Sequence, residues 1–181
     1  MNDFDFEIIN IKLSAKLTKS LTFDEIEAKF PFLSSHAGFG RIKFRHEDYT
    51  FCIMGRLNDF LNITGVKSLQ HVRKSIKCFQ AIFPSQKIIF QSLRFDSICA
   101  VYVASAKIIN EVLSPNCTIF WIKRYPNIFS RINVKPKYQL GVSVGMSANI
   151  FQSGKCVIFG ARNIDDLCKF ISLLKNPLTL T

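Results

Sequence analysis

The sequence predicts an α+β fold made of two similar halves, each with several antiparallel strands followed by a long helix. The first observation is a duplicated helix entry: Gly65-Val66-Lys67-Ser68 precedes one amphipathic stretch, and Gly160-Ala161-Arg162-Asn163 precedes another. Apolar residues follow at matching, helix-spaced offsets: Leu69, Val72, Ile76 and Phe79 in one copy, and Ile164, Leu167, Ile171 and Leu174 in the other. A duplicated half-domain presents a surface of approximate twofold symmetry, which suits a partner such as duplex DNA.

The first predicted repeat is residues 1–84. Ile9–Lys16 alternates apolar and polar side chains, which is typical of a half-buried strand. Thr22 and Glu25 predict a capping box at the start of a short helix. The remaining elements follow in order: antiparallel strands between residues 39 and 64, and a long helix from the Gly65 segment to about Phe83.

The second predicted repeat, residues 85–181, has the same order of elements. Phe90–Asp96 alternates as a strand, with Ser92, Arg94 and Asp96 on its polar side. A short helix is expected over Ser105–Leu113. The remaining elements are strands between residues 119 and 159, with a tight turn at Ser153-Gly154-Lys155, and a closing helix from Asn163 to about Lys175.

Composition is the second observation. The chain has 181 residues, 48% of them apolar, which excludes wholesale disorder. Its net charge is +11 with pI ≈ 9.6, and basic domains of this size usually bind nucleic acid, an anionic membrane or an acidic protein. No apolar run reaches the roughly 18–20 residues of a membrane span. The acidic start does not resemble a signal or transit peptide, so we expect a nuclear or cytoplasmic protein.

No catalytic constellation is found, and we expect neither an enzyme nor a small-molecule substrate nor a cofactor. The six cysteines show no C-x-x-C pairing and no histidine at zinc spacing. Small buried side chains in a reducing compartment are therefore favoured over a metal site. The three histidines have no nucleophile or carboxylate at a suitable spacing.

A sheet with all its helices on one side leaves its other face open, which in a soluble protein favours a bound ligand there. Strand parity assigns bases, amides and apolar groups to this face. They are Asn10, Lys12, Asn62 and Thr64 in the first repeat, and Ser92, Arg94, Val157 and Phe159 in the second.

The order of elements, the duplication and the local motifs resemble the TATA-box-binding protein family over nearly the whole chain. Asn10-Ile11 resembles the Asn-Ile of that family's first strand. Ser153-Gly154-Lys155 resembles its Ser-Gly-Lys turn, and Gly160-Ala161-Arg162 its Thr-Gly-Ala-Lys helix entry. Tyr125-Pro126-Asn127-Ile128-Phe129 is similar to its second stirrup loop.

The resemblance implies a single curved, ten-stranded antiparallel saddle with four helices on its convex side. The concave side of that family binds and bends DNA through the minor groove, with phenylalanines wedged between base steps. The wedges implied here are Phe39, Phe129 and Phe151, with Met54 in the place of a fourth. The other residues implied to contact DNA are Asn10, Lys12, Arg45, Asn62, Thr64, Ser92, Arg94, Lys135, Asn149, Lys155, Val157 and Phe159.

Some positions depart from the family's pattern. Ser92 is aligned with the asparagine of the second repeat, while Asn149 and Phe159 replace a leucine and a threonine. Lys12 and Arg94 are aligned at symmetric positions where the family has small apolar residues. Two cations in a narrow minor groove would make binding depend more on charge and less on a strict TATA sequence.

The partners implied by the resemblance are A·T-rich promoter DNA, proteins similar to transcription factors IIB and IIA, and the RNA polymerase machinery. Arg73, Lys74 and Lys77 on the first long helix are candidates for a partner surface. Tyr125 and Asn127 replace two stirrup acids that help contact transcription factor IIB. This drift fits a divergent protist or viral member, acting in the nucleus or at the site of viral transcription.

The sequence therefore favours a general transcription initiation factor. The alternative is a saddle-shaped protein-interaction module that has lost TATA binding and serves as a subunit of a larger transcription factor. A DNA-glycosylase accessory half-fold is disfavoured because no helix-hairpin-helix domain follows. A chain with 18 phenylalanines also places many of them in its core, so Phe39, Phe129 and Phe151 have that interpretation too.

Overall fold

A computed structural model describes residues 5–31, 41–54, 59–125, 131–137 and 140–177. The strands are β1 Phe6–Leu17, β2 Arg41–His46, β3 Tyr49–Met54, β4 Phe60–Val66, β5 Ile88–Val103, β6 Phe120–Tyr125, β7 Arg131–Pro136, β8 Ser147–Phe151 and β9 Lys155–Ala161. The helices are α1 Phe23–Glu27, α2 Leu69–Ile82, α3 Ala106–Val112 and α4 Ile164–Lys175. No helix within these described ranges is long and apolar enough to span a membrane.

The strands form one antiparallel sheet in the order β2-β3-β4-β1-β5-β9-β8-β7-β6. The described residues thus contain nine strands where ten were expected. The second repeat has β6 after its short helix, whereas the corresponding place in the first repeat, residues 32–40, lies outside the described residues.

The chain divides into two compact units. The first unit is Asn10–Asp96, and the second unit is Met1–Ile9 together with Ser97–Thr181. The predicted repeats divide the sequence at residue 84, whereas the units divide the long strands β1 and β5. Each unit contains one short and one long helix.

The helix caps occur where the sequence predicts them. Thr22 and Glu25 form the expected capping box of α1, with Glu25 N–H donating to Thr22 Oγ1 at 3.2 Å. The side chains of Ser105, Ser68 and Asn163 accept hydrogen bonds from the first turns of α3, α2 and α4. These caps satisfy N–H groups that have no partner inside a helix.

The core of the first unit is rich in phenylalanine. Phe44, Phe51, Phe79 and Phe83 are buried where the sheet meets α2, and their ring centroids lie 5.3–5.8 Å apart. Phe30 covers the outer end of this cluster by stacking on Phe44 at 4.5 Å. Much of the chain's phenylalanine content is therefore structural, which is the second interpretation that the sequence allows.

The core of the second unit is more aliphatic. Its strands alternate so that one side is buried against α4, and Phe120 and Phe170 meet there at 6.1 Å. The other buried strand residues on this side are Ile98, Ala100, Tyr102, Val134, Ala148, Ile150, Cys156, Ile158 and Ala161.

Gly65 and Gly160 cause equivalent irregularities of strand pairing in the two units. Both have left-handed φ, +91° and +85°, and the ladder beside each shifts register. Gly65 N–H donates to Asn10 Oδ1 at 2.9 Å, and Gly160 N–H donates to Ser97 Oγ at 3.3 Å. A Cβ on Gly65 would lie 2.3 Å from the carbonyl oxygen of Asp48, so only glycine fits.

The registers define which residues of the two units are equivalent. The pairs Ile11–Val66 and Leu13–Ile63 of the first unit correspond to Ile98–Ala161 and Ala100–Ile158 of the second. The further equivalences are Arg41 and Arg131, Lys43 and Asn133, Arg45 and Lys135, Thr50 and Ser147, Cys52 and Asn149, Met54 and Phe151, Asn62 and Val157, and Thr64 and Phe159.

We predict that Gly65→Ala destabilises the protein far more than Gly145→Ala. Gly145 has a similar φ of +89° but nothing within 4 Å of the place that a Cβ would occupy, so its alanine suffers only the ~1–2 kcal/mol of left-handed strain. Gly65→Ala adds a clash with backbone. Urea unfolding of both variants measures the difference, and equal losses of unfolding free energy would show that the close approach of Asp48 is not a constraint.

Candidate nucleic-acid interface

The face of the first unit opposite α2 is lined by polar and basic side chains, which we call the first polar face. Cross-strand pairs connect Lys43 to Cys52, Cys52 to Asn62, and Asn62 to Ser14. The members of this face are Lys12, Ser14, Lys16, Arg41, Lys43, Arg45, Thr50, Cys52, Met54, Phe60, Asn62 and Thr64. Their alternation with buried residues places the predicted Lys12, Arg45, Met54, Asn62 and Thr64 on one surface.

Three cations surround the centre of the first polar face. Burial raises the pKa of the Cys52 thiol, while the positive charges of Arg41, Lys43 and Lys12 act in the opposite direction. These three cations therefore make the local electrostatic potential at the thiol more positive. Such a potential attracts polyanions.

One carboxylate, that of Asp96, partly offsets the positive charge of the first polar face. Asp96 Oδ1 accepts a hydrogen bond from Ser14 Oγ at 2.7 Å, and Asp96 Oδ2 lies 3.6 Å from Lys12 Nζ. Both side chains of the ion pair remain partly exposed, so the pair positions Lys12 without neutralising it strongly.

Two amides of the first unit are already engaged. Asn10 uses its Oδ1 to accept from the N–H of Gly65, a structural role that the resemblance does not imply. Asn62 is only 8% exposed, its Nδ2 lies 3.5 Å from Met54 Sδ, and its Oδ1 is buried without a hydrogen-bond partner among the described residues. A buried acceptor without a partner is costly, so a donor from a ligand would stabilise it.

The alignment of Ser92 with Asn10 and of Arg94 with Lys12 is wrong. The register makes Ser97 and Cys99 the equivalents of Asn10 and Lys12. Ser92 Oγ accepts from the N–H of Lys16 at 2.7 Å and donates to the carbonyl of Ile89 at 2.6 Å, so the hydroxyl's one proton is already used within the protein.

Arg94 is nevertheless exposed in β5, two residues before Asp96. The sequence error came from treating Phe90–Asp96 as a complete strand. β5 is one strand of 16 residues, and the equivalent of the β1 polar stretch begins only at Ser97.

The second unit has an open face of different character, which we call the second polar face. The pairs Trp121–Lys135, Lys123–Asn133 and Tyr125–Arg131 join β6 and β7. Across β8 and β9 the face continues through the pairs Asn133–Asn149, Asn149–Val157, Arg131–Phe151 and Ser147–Phe159. The predicted Lys135, Asn149, Phe151, Val157 and Phe159 all lie on this face, and Lys155 starts β9 beside Val103.

Aromatic rings and cations interleave on the second polar face. Trp121 is 65% exposed, and Lys137 Nζ lies 5.1 Å from its ring centroid. Two further cations lie near the ring of Tyr125: Lys123 Nζ is 5.0 Å and Arg131 Cζ 4.9 Å from its centroid. Cations beside aromatic faces are typical of surfaces that stack nucleic-acid bases and bind phosphates.

Sequence reasoning missed much of this second surface. Trp121, Lys123, Arg131 and Asn133 were not predicted, and the β6 sequence Phe-Trp-Ile-Lys-Arg-Tyr has no apolar–polar alternation that could assign Trp121 and Lys123 to one side. Asn133 Nδ2 donates to Asn149 Oδ1 at 2.9 Å, and this hydrogen bond holds the two neighbouring amide side chains together on the second polar face.

Three predicted residues cannot be compared with the structure. Phe39, Phe129 and Asn127 lie outside the described residues. Tyr125 was predicted to belong to a stirrup loop that contacts a protein partner, but it ends strand β6 and its ring faces Arg131. Arg73, Lys74 and Lys77 are exposed on α2, where a partner role stays a prediction.

The described fold matches that of a known protein. Methanococcus jannaschii TBP superposes with a TM-score of 0.71 at 16% sequence identity, covering 97% of this chain and 99% of that chain. The chain has a TBP-like fold. At this identity the likeness concerns the fold alone, and the TBP-like chain's own residues must carry any argument about binding.

Other comparisons add little. A structure of A. aeolicus tRNASec in complex with M. kandleri SerRS matches with a TM-score of 0.43 at 10% identity, covering 97% of this TBP-like chain and 31% of that chain, and carries no argument. No protein-family model and no curated protein matches the sequence.

We predict that the local electrostatic potential differs between Cys52, on the first polar face, and Cys99, the β5 equivalent of Lys12. Burial raises the pKa of both thiols, but only Cys52 has cations that favour its thiolate. Raising the salt concentration screens those cations, so the pKa of Cys52 rises further and its alkylation by neutral iodoacetamide slows by ~2–3-fold. Mass spectrometry resolves the two rates, and a parallel slowing of Cys99 would contradict the local origin of the effect.

Proposed function

We propose that this protein is a DNA-binding factor of TBP-like fold that acts in transcription initiation, with the two polar faces as its DNA-contacting surfaces. The observation that carries the proposal is the distribution of charge along the strands. Strands β2, β3, β4, β6, β7, β8 and β9 contain no Asp or Glu. They contain eight bases: Arg41, Lys43, Arg45, Lys123, Arg124, Arg131, Lys135 and Lys155. Seven of them lie on the two polar faces, and Arg124 lies on the other side of β6.

This distribution favours DNA over the alternative of a protein-interaction module without DNA binding. Such a module has no need of acid-free strands, and its positive charge would lie elsewhere on the molecule. Phosphates of a duplex, by contrast, are bound best by scattered Lys and Arg on a preformed surface. The strand bases of the first polar face all come from β1 and β2, at defined register.

Apolar side chains among the bases support contact with the minor groove. Met54 and Phe151 occupy equivalent positions, and each pairs with an arginine, Arg41 and Arg131. Methionine and phenylalanine can both wedge between base steps, which bends the duplex. Bending of this kind would seat an initiation complex on the promoter.

Sequence preference is proposed to be weak. Lys12 lies on the first polar face, while its equivalent in the second unit is Cys99. A lysine hydrogen-bonds acceptors of either A·T or G·C pairs, so it adds affinity more than selectivity. A modest preference for A·T-rich DNA would come from groove width.

The remaining parts of the proposal rest on the resemblance. The protein acts as a binding factor without catalysis, as a divergent protist or viral member of the family. It works in the nucleus or at the site of viral transcription, with partners similar to transcription factors IIB and IIA and the polymerase machinery. The exposed bases Arg73, Lys74 and Lys77 of α2 would meet one of these partners.

We predict that duplex binding depends steeply on salt and on the first polar face. Lys12→Ala and Lys43→Ala should each weaken binding to A·T-rich and G·C-rich duplexes alike and reduce the slope of log K against log salt by ~0.9 for each phosphate that is no longer neutralised. Asp96→Asn should strengthen binding, because it removes the carboxylate beside Lys12. Fluorescence anisotropy at several salt concentrations measures these effects.

Lys107→Ala is the matched control for these variants. Lys107 is a well-exposed lysine on α3 that pairs only with Glu111, at 3.8 Å within the described residues, so its removal should leave the salt slope unchanged. Absence of duplex affinity at low salt, or equal slopes for all four variants, would reject the proposal in favour of the protein-interaction module.

We also predict that duplex DNA quenches the intrinsic fluorescence of Trp121. This is the single tryptophan of the chain, and it is largely exposed on the second polar face. Contact with bases or phosphates changes its environment, and added salt should restore the signal as the complex dissociates. Binding seen by anisotropy with unchanged Trp121 emission would mean that DNA contacts another surface.

A further inference from the structure

The β2–β3 hairpin and helix α2 bring three potential metal ligands together. His46 and Glu47 form the end of β2 and the turn after it, and Cys78 lies on α2. One ligand atom from each, an imidazole nitrogen, a carboxylate oxygen and the thiol sulfur, all lie within 4.8 Å of one another. The sequence shows no zinc spacing because the fold, not the local sequence, unites these residues.

The donor set is the one that Zn²⁺ uses in proteins. Zinc is bound by thiolate, imidazole and carboxylate with bonds of about 2.0–2.3 Å, which in a tetrahedron places ligand atoms about 3.3–3.8 Å apart. The side chains therefore need to close by about 1 Å, which rotamer adjustment supplies, because His46 and Glu47 are exposed.

The backbone and one ligand ring are held in place by the core. Tyr49, the cross-strand partner of His46, is buried and fixes the hairpin against the sheet. The ring of Phe30 meets the His46 ring edge-on at 6.5 Å and lies on the same side of the sheet as α2. Glu47 also acts electrostatically on the Cys78 thiol, as does Lys74, which carries the opposite charge.

The second unit provides an internal comparison. By register the equivalents of His46 and Glu47 are Pro136 and Lys137, and the matching helix position of Cys78 is Leu173. None of these offers a zinc ligand of the type present in the first unit. The cluster is therefore a property of one unit and not a requirement of the fold.

We propose that His46, Glu47 and Cys78 form a zinc site that clamps the β2–β3 hairpin to α2, with a fourth coordination position open to water or to a partner's side chain. The site lies on the helix side of the first unit, opposite the first polar face. Its occupancy stabilises the hairpin, because a metal that binds only the folded chain raises stability by mass action.

Cobalt titration of the full chain in chelator-free buffer tests this proposal. One equivalent of Co²⁺ should give a thiolate-to-cobalt charge-transfer band together with the visible bands of four-coordinate cobalt, and Zn²⁺ should abolish both. Saturating Zn²⁺ should raise the Tm of the protein by ~5 °C. The bands and the Tm shift should be lost in His46→Gln and in Cys78→Ser.

Cys168→Ser is the matched control, since Cys168 is a similarly half-buried cysteine on α4 outside the cluster. It should keep the full spectrum. If circular dichroism shows that Cys78→Ser does not fold, the test uses only the variants of the exposed ligands, His46→Gln and Glu47→Gln. Absence of a thiolate–cobalt band overturns the proposal. A band that survives in the cluster variants also overturns it, because the cobalt is then bound by other cysteines.

Discussion

The left-handed backbone at Gly65 and Gly160 determines which side chains can reach the open side of each unit. Each glycine shifts the register of the pair formed with β1 or β5, and each donates its N–H to a side chain one residue before a buried isoleucine. A side chain at Gly65 would collide with the carbonyl oxygen of Asp48, and one at Gly160 would make a tight contact with that of Gly145. Because a shift of one residue exchanges the two faces of a strand, the whole distribution of charge depends on these two positions.

A consequence of this register is that the phenylalanines of β2 and β3 lie on the side opposite the charged residues of these strands. Phe44 and Phe51 point into the aromatic core, while their sequence neighbours Lys43 and Cys52 face outward. The cluster with Phe79 and Phe83 supplies burial that holds α2 on the sheet, and each large-to-small change there would cost about 3–5 kcal/mol. The buried aromatic layer stabilises the unit against the repulsion between the positive charges on its outer side.

Local patterns were enough to predict the helices, because caps and apolar periodicity act over a few residues. Thr22, Ser68, Ser105 and Asn163 all cap as expected. The register of β5 was not predictable in the same way. The apolar positions change parity after Phe95, where Asp96 and Ser97 are both polar, and the hydrogen bond between Ser97 and Gly160 shows that the equivalent of Asn10 lies there. The site was likewise predictable only where strands alternate regularly, as at Lys12, Asn62 and Val157. Trp121 was missed because a lone tryptophan in a short apolar-looking segment suggests core, whereas its pairing with Lys135 and its exposure become visible only in the folded sheet.

The proposed function assigns polyanion binding to both polar faces, and their side chains differ in the physical means that each would use. The first relies on point charges, with Arg41, Lys43 and Lys12 around a thiol. The second places Trp121 and Tyr125 beside cations, where stacking and dispersion contribute as well as charge. Salt screens point charges more than it screens stacking. A complex in which the contribution of Lys12 fades with rising salt before that of Trp121 would follow directly from this division.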